Sequence, residues 1–143
     1  MDHRIGYILK RTQMMFRTKM DEALGVHDLT TPQYICLHEL HADGGISNAE
    51  LARRCFITPQ TMHKIVLGLE KKGFLTREPD PANQRRQCTR LTETGAQVLK
   101  TAEATVDALE SVVLSAFSDA EILQFQSYLT LTQQHLAQLS PDP

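Results

Sequence analysis

Between residues 53 and 90, nine basic side chains (Arg53, Arg54, Lys64, Lys71, Lys72, Arg77, Arg85, Arg86 and Arg90) stand against three acidic ones, Glu70, Glu78 and Asp80. This +6 stretch lies in a 143-residue chain of net charge −2, because the residues before it carry −2 and those after it −6. A basic field confined to one segment is the footprint of a surface for a polyanion. Inside it, Gln60, Thr61, His63 and Lys64 follow Thr58-Pro59 and interleave with Met62, Ile65, Val66 and Leu69. That spacing puts the polar set on one side of a helix and the apolar set on the other. The polar set suits reading of duplex edges. Gln bonds adenine bidentately, Thr bonds a base edge or packs on a thymine methyl, and Lys reaches guanine or phosphate, each good bidentate pair giving ~1–3 kcal/mol of discrimination. A helix start capped by Thr58 also aims free N–H groups at a nearby phosphate.

The elements that must hold these residues follow from caps and periodicity. Ile5, Ile8, Leu9, Thr12, Met15, Phe16 and Met20 predict an amphipathic helix over Ile5–Leu24, stopped by Gly25. Thr31, with Pro32 after it, reads as the cap of a second helix ending at Gly44-Gly45. Ser47-Asn48-Ala49-Glu50 has the form of a capping box and opens a short helix to about Cys55. Thr58-Pro59 opens the fourth helix, closed by Gly73, with Lys71 and Lys72 read as a solvated end favouring its dipole. Phe74–Arg77 and Cys88–Leu91 flank EPDPANQRRQ and predict a two-stranded hairpin with a polar tip. Thr92 opens a long helix marked by Ala96, Leu99, Ala102, Val106, Leu109, Val113 and Ala116, and Ser118-Asp119-Ala120-Glu121 caps a last one carrying Ile122, Phe125, Leu129, Leu136 and Leu139.

Two helices joined at Phe56-Ile57 form a helix-turn-helix whose second member enters the major groove. The hairpin adds a wing. Arg85 and Arg86 are expected at its tip, where arginine senses minor-groove width, and Arg77 and Arg90 on its strands are expected to meet phosphates. The fold class is mainly α with a small β-wing.

The runs ELARR, ITPQTMHKIVLGLEKKGFL, REPDP and RLTETG resemble the MarR family of winged helix-turn-helix transcriptional regulators, and the likeness in layout extends over nearly the whole chain. The resemblance implies a homodimer in which the first and last two helices intertwine. It implies a pseudopalindromic DNA operator and, as a rule, repression of transcription. Residues 1–143 then form a single MarR-like domain, with 30–91 as the DNA-binding region and 1–29 and 92–143 as dimerisation helices. Apolar stripes on these flanking helices exceed what one small winged domain covers, which agrees with a dimer. By position, Thr58, Pro59, Gln60, Thr61, His63 and Lys64 match the family's recognition helix and Arg85 its wing arginine. Two departures stand out: Thr58-Pro59 replaces the common Ser-Arg pair, and Asn83 replaces the Asp that braces the wing arginine.

The resemblance also implies release from DNA by a small aromatic acid or phenol bound between the dimerisation helices and the winged region. Met14, Arg17, Tyr34, His38 and His41 are the candidates to line that site: Arg17 for a carboxylate, Tyr34 or His38 for a phenol oxygen, methionine for an adaptable wall. The competing expectation for Met14, Met15 and Phe16 is burial in the core. Cys36, Cys55 and Cys88 raise a second regulator reading, thiol redox sensing, with Cys88 favoured by Arg85 and Arg86 nearby. A third is a winged helix that binds protein instead of DNA. Cys36, His38 and His41 are spaced too weakly to predict a metal, and no cofactor is expected. No G-x-S-x-G, glycine-rich phosphate loop or H-E-x-x-H occurs, so no enzyme is read. No run approaches the roughly 20 apolar residues of a membrane span. MDHRIGYILKR lacks the apolar centre of a signal peptide, so the expected location is the cytoplasm.

Overall fold

A computed structural model describes residues 3–139. Helices α1 (Ile5–Leu24), α2 (Thr31–Ala42), α3 (Asn48–Arg54) and α4 (Pro59–Lys71) precede a hairpin of β2 (Leu75–Asp80) and β3 (Asn83–Leu91), then come α5 (Glu93–Val113) and α6 (Asp119–Leu139). A two-residue strand, β1 (Ile46–Ser47), joins the hairpin to give an antiparallel sheet of order β1-β3-β2. The mainly α architecture with a small wing is therefore the one expected. The third strand was not: two residues carry no alternation to read. Its register pairs Ile46 with Thr89 and Ser47 with Cys88.

Local chemistry explains most boundaries. The cap of α2 is Thr30, one residue earlier than expected: its hydroxyl accepts from Gln33 N–H at 3.3 Å and Gln33 Oε1 accepts from Thr30 N–H at 3.0 Å. Thr31 is thereby freed to tie α2 to α1. Its N–H (2.9 Å) and hydroxyl (2.6 Å) both donate to Asp21 Oδ1, and these bonds hold the Asp21 carboxyl below its usual range. Ser47 caps α3 by accepting from Glu50 N–H at 3.2 Å, but Glu50 does not reach back; its carboxylate turns to Arg53 and Arg54. Thr92 begins α5, accepting from Gly95 N–H and donating to the Gly73 carbonyl. A Cβ at Gly95 would strike the Phe74 carbonyl oxygen, which is why the RLTETG run ends in glycine.

The chain divides into two compact units, one up to Leu109 and one from Glu110. In the first, Leu24, Leu37, Leu51, Met62, Leu69 and Leu99 are among the fully buried side chains of one apolar core. Only Met20 and Leu24 of α1 are buried, with Phe16 packed at the margin. Met14 and Met15 are exposed, so the expectation that both belong to the core fails. In the second unit, Ser118 and Glu121 form a reciprocal capping box (2.9 and 3.2 Å), and Phe117 meets Phe125 at 5.9 Å between ring centroids. No described residue of α6 is buried, although Leu123, Phe125, Tyr128, Leu131 and Leu136 lie along it. Among the described residues, no helix is long and apolar enough to cross a membrane.

Candidate nucleic-acid interface and the adjoining cleft

Helix α4 is anchored from both sides of its start. Thr58 caps it, its hydroxyl accepting from Thr61 N–H at 3.2 Å and donating to the Thr61 hydroxyl at 3.0 Å. Asn48 Nδ2 donates to the Pro59 carbonyl at 3.2 Å, joining the first turn of α3 to the first turn of α4. Sequence reasoning had given Asn48 no role; only the three-dimensional turn brings it to Pro59. Met62, Val66 and Leu69 are buried, which leaves Gln60, Thr61, His63 and Lys64 exposed on the outer face with Thr58 and Pro59 at its head.

The nine basic residues of the +6 segment separate into two groups. Glu50 takes Arg53 at 2.6 Å and Arg54 at 3.0 Å, and Arg54 also reaches Asp43 at 2.9 Å. Hydrogen bonds from the two guanidiniums push the Glu50 carboxyl down to about 2. Arg77 grips Glu70 with two contacts, 3.1 and 3.4 Å, tying β2 to α4. Arg90 lies 3.7 Å from Glu78 and its guanidinium packs against Gly45. Lys72 is no idle helix end: its ammonium donates to the Asp28 carbonyl at 2.6 Å and sits 3.3 Å from the Asp28 carboxylate. Among the described residues, Lys64, Lys71, Arg85 and Arg86 have no carboxylate within salt-bridge distance. All four are exposed.

The wing departs from the expected hairpin in one respect. Pairing runs from Leu75–Leu91 to Pro79–Gln87 and then jumps to Asp80–Asn83. Arg85 and Arg86 are therefore not at the tip. The tip is Asp80-Pro81-Ala82-Asn83, and Gln84, Arg85 and Arg86 form a bulge behind it with no partners on β2. A bulge re-aims side chains, and here it frees two adjacent guanidiniums from the ladder. Two side-chain turns shape it: Asp80 Oδ1 accepts from Ala82 N–H at 2.9 Å, and Asn83 Oδ1 accepts from Arg85 N–H at 3.1 Å. The Asn that replaces the family's Asp thus still braces Arg85, through the main chain.

Of the residues proposed for an effector site, two meet each other and a third lines a cleft. Tyr34 and His38 stack at 6.2 Å, and His38 Nδ1 lies 3.1 Å from Glu103 of α5. Met14 and His41 are exposed. Arg17 lines a cleft of about 260 Å³, with Gln13 of α1, Thr31, Pro32 and Ile35 of α2, and Cys55, Phe56 and Ile57 of the helix-turn-helix turn. Arg17 is half-exposed, 3.6 Å from Asp21. The helix-turn-helix turn was expected to connect two helices; that it walls a cleft is not legible from the sequence.

The thiols give redox sensing no support. Burial pushes Cys36 up to about 12 and Cys55 up to about 11. Cys88 is raised by loss of solvation and by Asp80, which outweigh the nearby Arg90 and Arg86. A thiol protonated at neutral pH is a poor nucleophile. Among the described residues, no cluster of three His, Cys, Asp or Glu side chains is placed to hold a metal ion.

The model of the MarR family matches residues 27–86. The chain is 34% identical over 128 residues to the HTH-type transcriptional repressor Rv2887 of Mycobacterium tuberculosis, covering 90% of this chain and 92% of that one. The crystal structure of Rv2887 with DNA superposes with a TM-score of 0.79 at 32% identity, over 92% of this chain and 98% of that one. The same protein with salicylic acid gives 0.73 at 33%, over 92% and 99%. CouR of Rhodococcus jostii RHA1 bound to p-coumaroyl-CoA gives 0.79 at 25%, over 89% and 90%.

Proposed function

The chain belongs to the MarR family and is a DNA-binding transcriptional regulator, and we propose that it is a homodimeric repressor of a pseudopalindromic operator, released by a single-ring aromatic acid or phenol. The observation that carries the DNA reading is the separation of cations: among the described residues Lys64 and Lys71 on α4 and Arg85 and Arg86 in the wing bulge lack carboxylate partners, while the other five are held in ion pairs. In this reading Gln60, Thr61, His63 and Lys64 meet base edges, with Thr58 and Pro59 presenting the helix start to a phosphate. Arg85 and Arg86 enter the minor groove, and Lys71 joins the phosphate contacts. Arg77 braces the wing against α4, and Arg90 pairs with Glu78 across the hairpin, so both are assigned to holding the wing. Residues 30–91 act as the DNA-binding region. The exposed apolar side chains of α1 and α6 are covered by a second copy, which supplies the two-fold symmetry a pseudopalindrome requires.

The effector reading rests on the cleft. Arg17 offers a charge-assisted partner for a carboxylate, and Pro32, Ile35, Cys55 and Ile57 offer apolar walls. Its roughly 260 Å³ lies below the ~300–1,000 Å³ of sites for drug-sized molecules, which favours one ring over a coenzyme A thioester. The protein binds and does not catalyse, and it acts in the cytoplasm.

Binding-site selection from random duplexes, followed by fluorescence anisotropy on the selected sequence, tests both halves. Tight binding that weakens on adding salicylate is expected. No DNA binding at low salt would overturn the DNA reading in favour of a protein-interaction module; DNA affinity indifferent to salicylate, benzoate and simple phenols would overturn the effector half. Gln60→Ala should change base preference while Arg85→Ala weakens all sequences.

A further inference from the structure

Three helical ends close in the same way: a residue in left-handed backbone follows the helix, and the next N–H reaches back to a carbonyl five residues earlier. After α4 the left-handed residue is Gly73 (φ 80°), with Phe74 N–H donating to the Leu69 carbonyl at 3.0 Å. Before α2 it is Asp28 (φ 57°), with Leu29 N–H donating to Leu24. After α3 it is Phe56 (φ 57°), whose own N–H donates to Arg53 at 3.2 Å while Ile57 N–H donates to Ala52 at 3.1 Å. Glycine takes this conformation freely and aspartate tolerates it; a bulky aromatic residue there is strained. The strain at Phe56 is not offset by packing, because the side chain is 95% exposed. Yet Phe56 is among the residues that line the cleft containing Arg17.

We propose that Phe56 is the aromatic clamp of this cleft, closing on the face of a bound aromatic ring whose carboxylate points to Arg17. The proposal rests on the effector reading above and adds the residue that recognises the ring. Offset or edge-to-face contact is the favoured geometry between two rings, and it is unavailable to a saturated ring of the same size. Asp21 shares Arg17, but its Oδ1 is engaged by Thr31, so the guanidinium keeps donors for a second anion. Phe56 is also two residues before Thr58, which caps α4. A ring held by Phe56 therefore loads the segment that sets where Gln60 and Thr61 point, which supplies the differential contact a releasing ligand needs.

The test uses the full-length protein with salicylate, benzoate and cyclohexanecarboxylate as probes, in wild type, Phe56→Gly, Phe56→Leu and Phe56→Tyr, by isothermal titration calorimetry and thermal melting. Wild type and Phe56→Tyr should prefer benzoate to cyclohexanecarboxylate. Phe56→Gly and Phe56→Leu should lose that preference and bind salicylate at least tenfold more weakly, and Phe56→Gly should melt no lower than wild type because glycine relieves the left-handed strain. Phe56→Leu carries the test independently of the glycine variant's backbone freedom. Retained aromatic preference in both variants would overturn the clamp while leaving the effector reading standing. Failure of wild type to bind any of the three acids would overturn the aromatic-acid branch of the effector reading and the clamp with it.

Discussion

The internal pairing of cations fixes how strongly DNA binding should respond to salt. Each protomer keeps four unpaired basic residues in the segment, Lys64, Lys71, Arg85 and Arg86, so a dimer presents eight. If each displaces one counterion from B-DNA, log K should fall against log salt with a slope of roughly −7, at about −0.9 per phosphate neutralised. Were all nine residues of each protomer engaged, the slope would be roughly −16 by the same rule. Between 50 and 200 mM salt the first slope costs about four orders of magnitude in affinity, within the range known for proteins making six to ten phosphate contacts. Fluorescence anisotropy on a selected duplex at five or six salt concentrations measures it. Arg85→Ala or Lys71→Ala should flatten the slope by about 2, two sites per dimer being lost, whereas Arg77→Ala should leave the slope alone and lower stability through the orphaned Glu70. A slope steeper than about −12 would mean that the ion pairs open on DNA, and an Arg77→Ala slope flattened like that of Arg85→Ala would refute the division of labour.

Three further outcomes follow from particular contacts. Gly95→Ala should destabilise the fold by about 1–3 kcal/mol in urea titrations, since the new methyl group must displace the Phe74 carbonyl or the start of α5; a neutral result would mean that this junction yields. Glu50, held at about 2 in the folded chain against an ordinary 4.5, contributes stability that is complete above about pH 4.5 and is lost as pH falls toward 2. Glu50→Gln should remove that part of the acid-unfolding slope, and identical acid limbs would count against the Arg53-Glu50-Arg54 cluster. The thiols of Cys36, Cys55 and Cys88 should react slowly with a disulfide reagent at neutral pH in the native state, and hydrogen peroxide should leave DNA affinity unchanged; a peroxide-dependent loss abolished by a cysteine-to-serine variant would restore the redox reading.

The sequence disclosed what is local and periodic. Ile5–Leu24, the Thr58-Pro59 start of α4, its buried stripe and the Ser118–Glu121 box all came from signals spanning one or two turns, where the deciding interactions lie between residues three or four apart. The misses are of a different kind. Strand β1 exists because Gly45, in left-handed backbone, lets its N–H reach the Thr89 carbonyl at 3.0 Å, a pairing across 44 positions that no window reveals. Thr30 displaced Thr31 as a cap because Asp21 of α1 competes for the Thr31 hydroxyl. The wing arginines were placed at the tip on the assumption of an even ladder, and the bulge moved them behind it. That Arg17 shares a cleft with the helix-turn-helix turn was beyond reach, because helical spacing says which side chains share a face and not which second element faces them.

The same distinction explains how a chain of net charge −2 presents a DNA-binding face. Charge counted along the sequence assigns Arg53, Arg54, Lys72, Arg77 and Arg90 to the basic field equally with Lys64, Lys71, Arg85 and Arg86. In the fold, Glu50, Asp43, Asp28, Glu70 and Glu78 cancel the first five, and two of these carboxylates, Glu70 and Glu78, lie inside the basic segment itself. The paired cations hold α3, α4 and the wing in register, while the unpaired ones stand on the outer face of α4 and in the β3 bulge. An interaction between exposed charges a Debye length apart is largely screened at physiological salt, about 8 Å, so the carboxylates that matter to this face are those within contact of its cations. Net charge is thus a poor guide to the partner here, and the local census of cations without carboxylate partners is the better one.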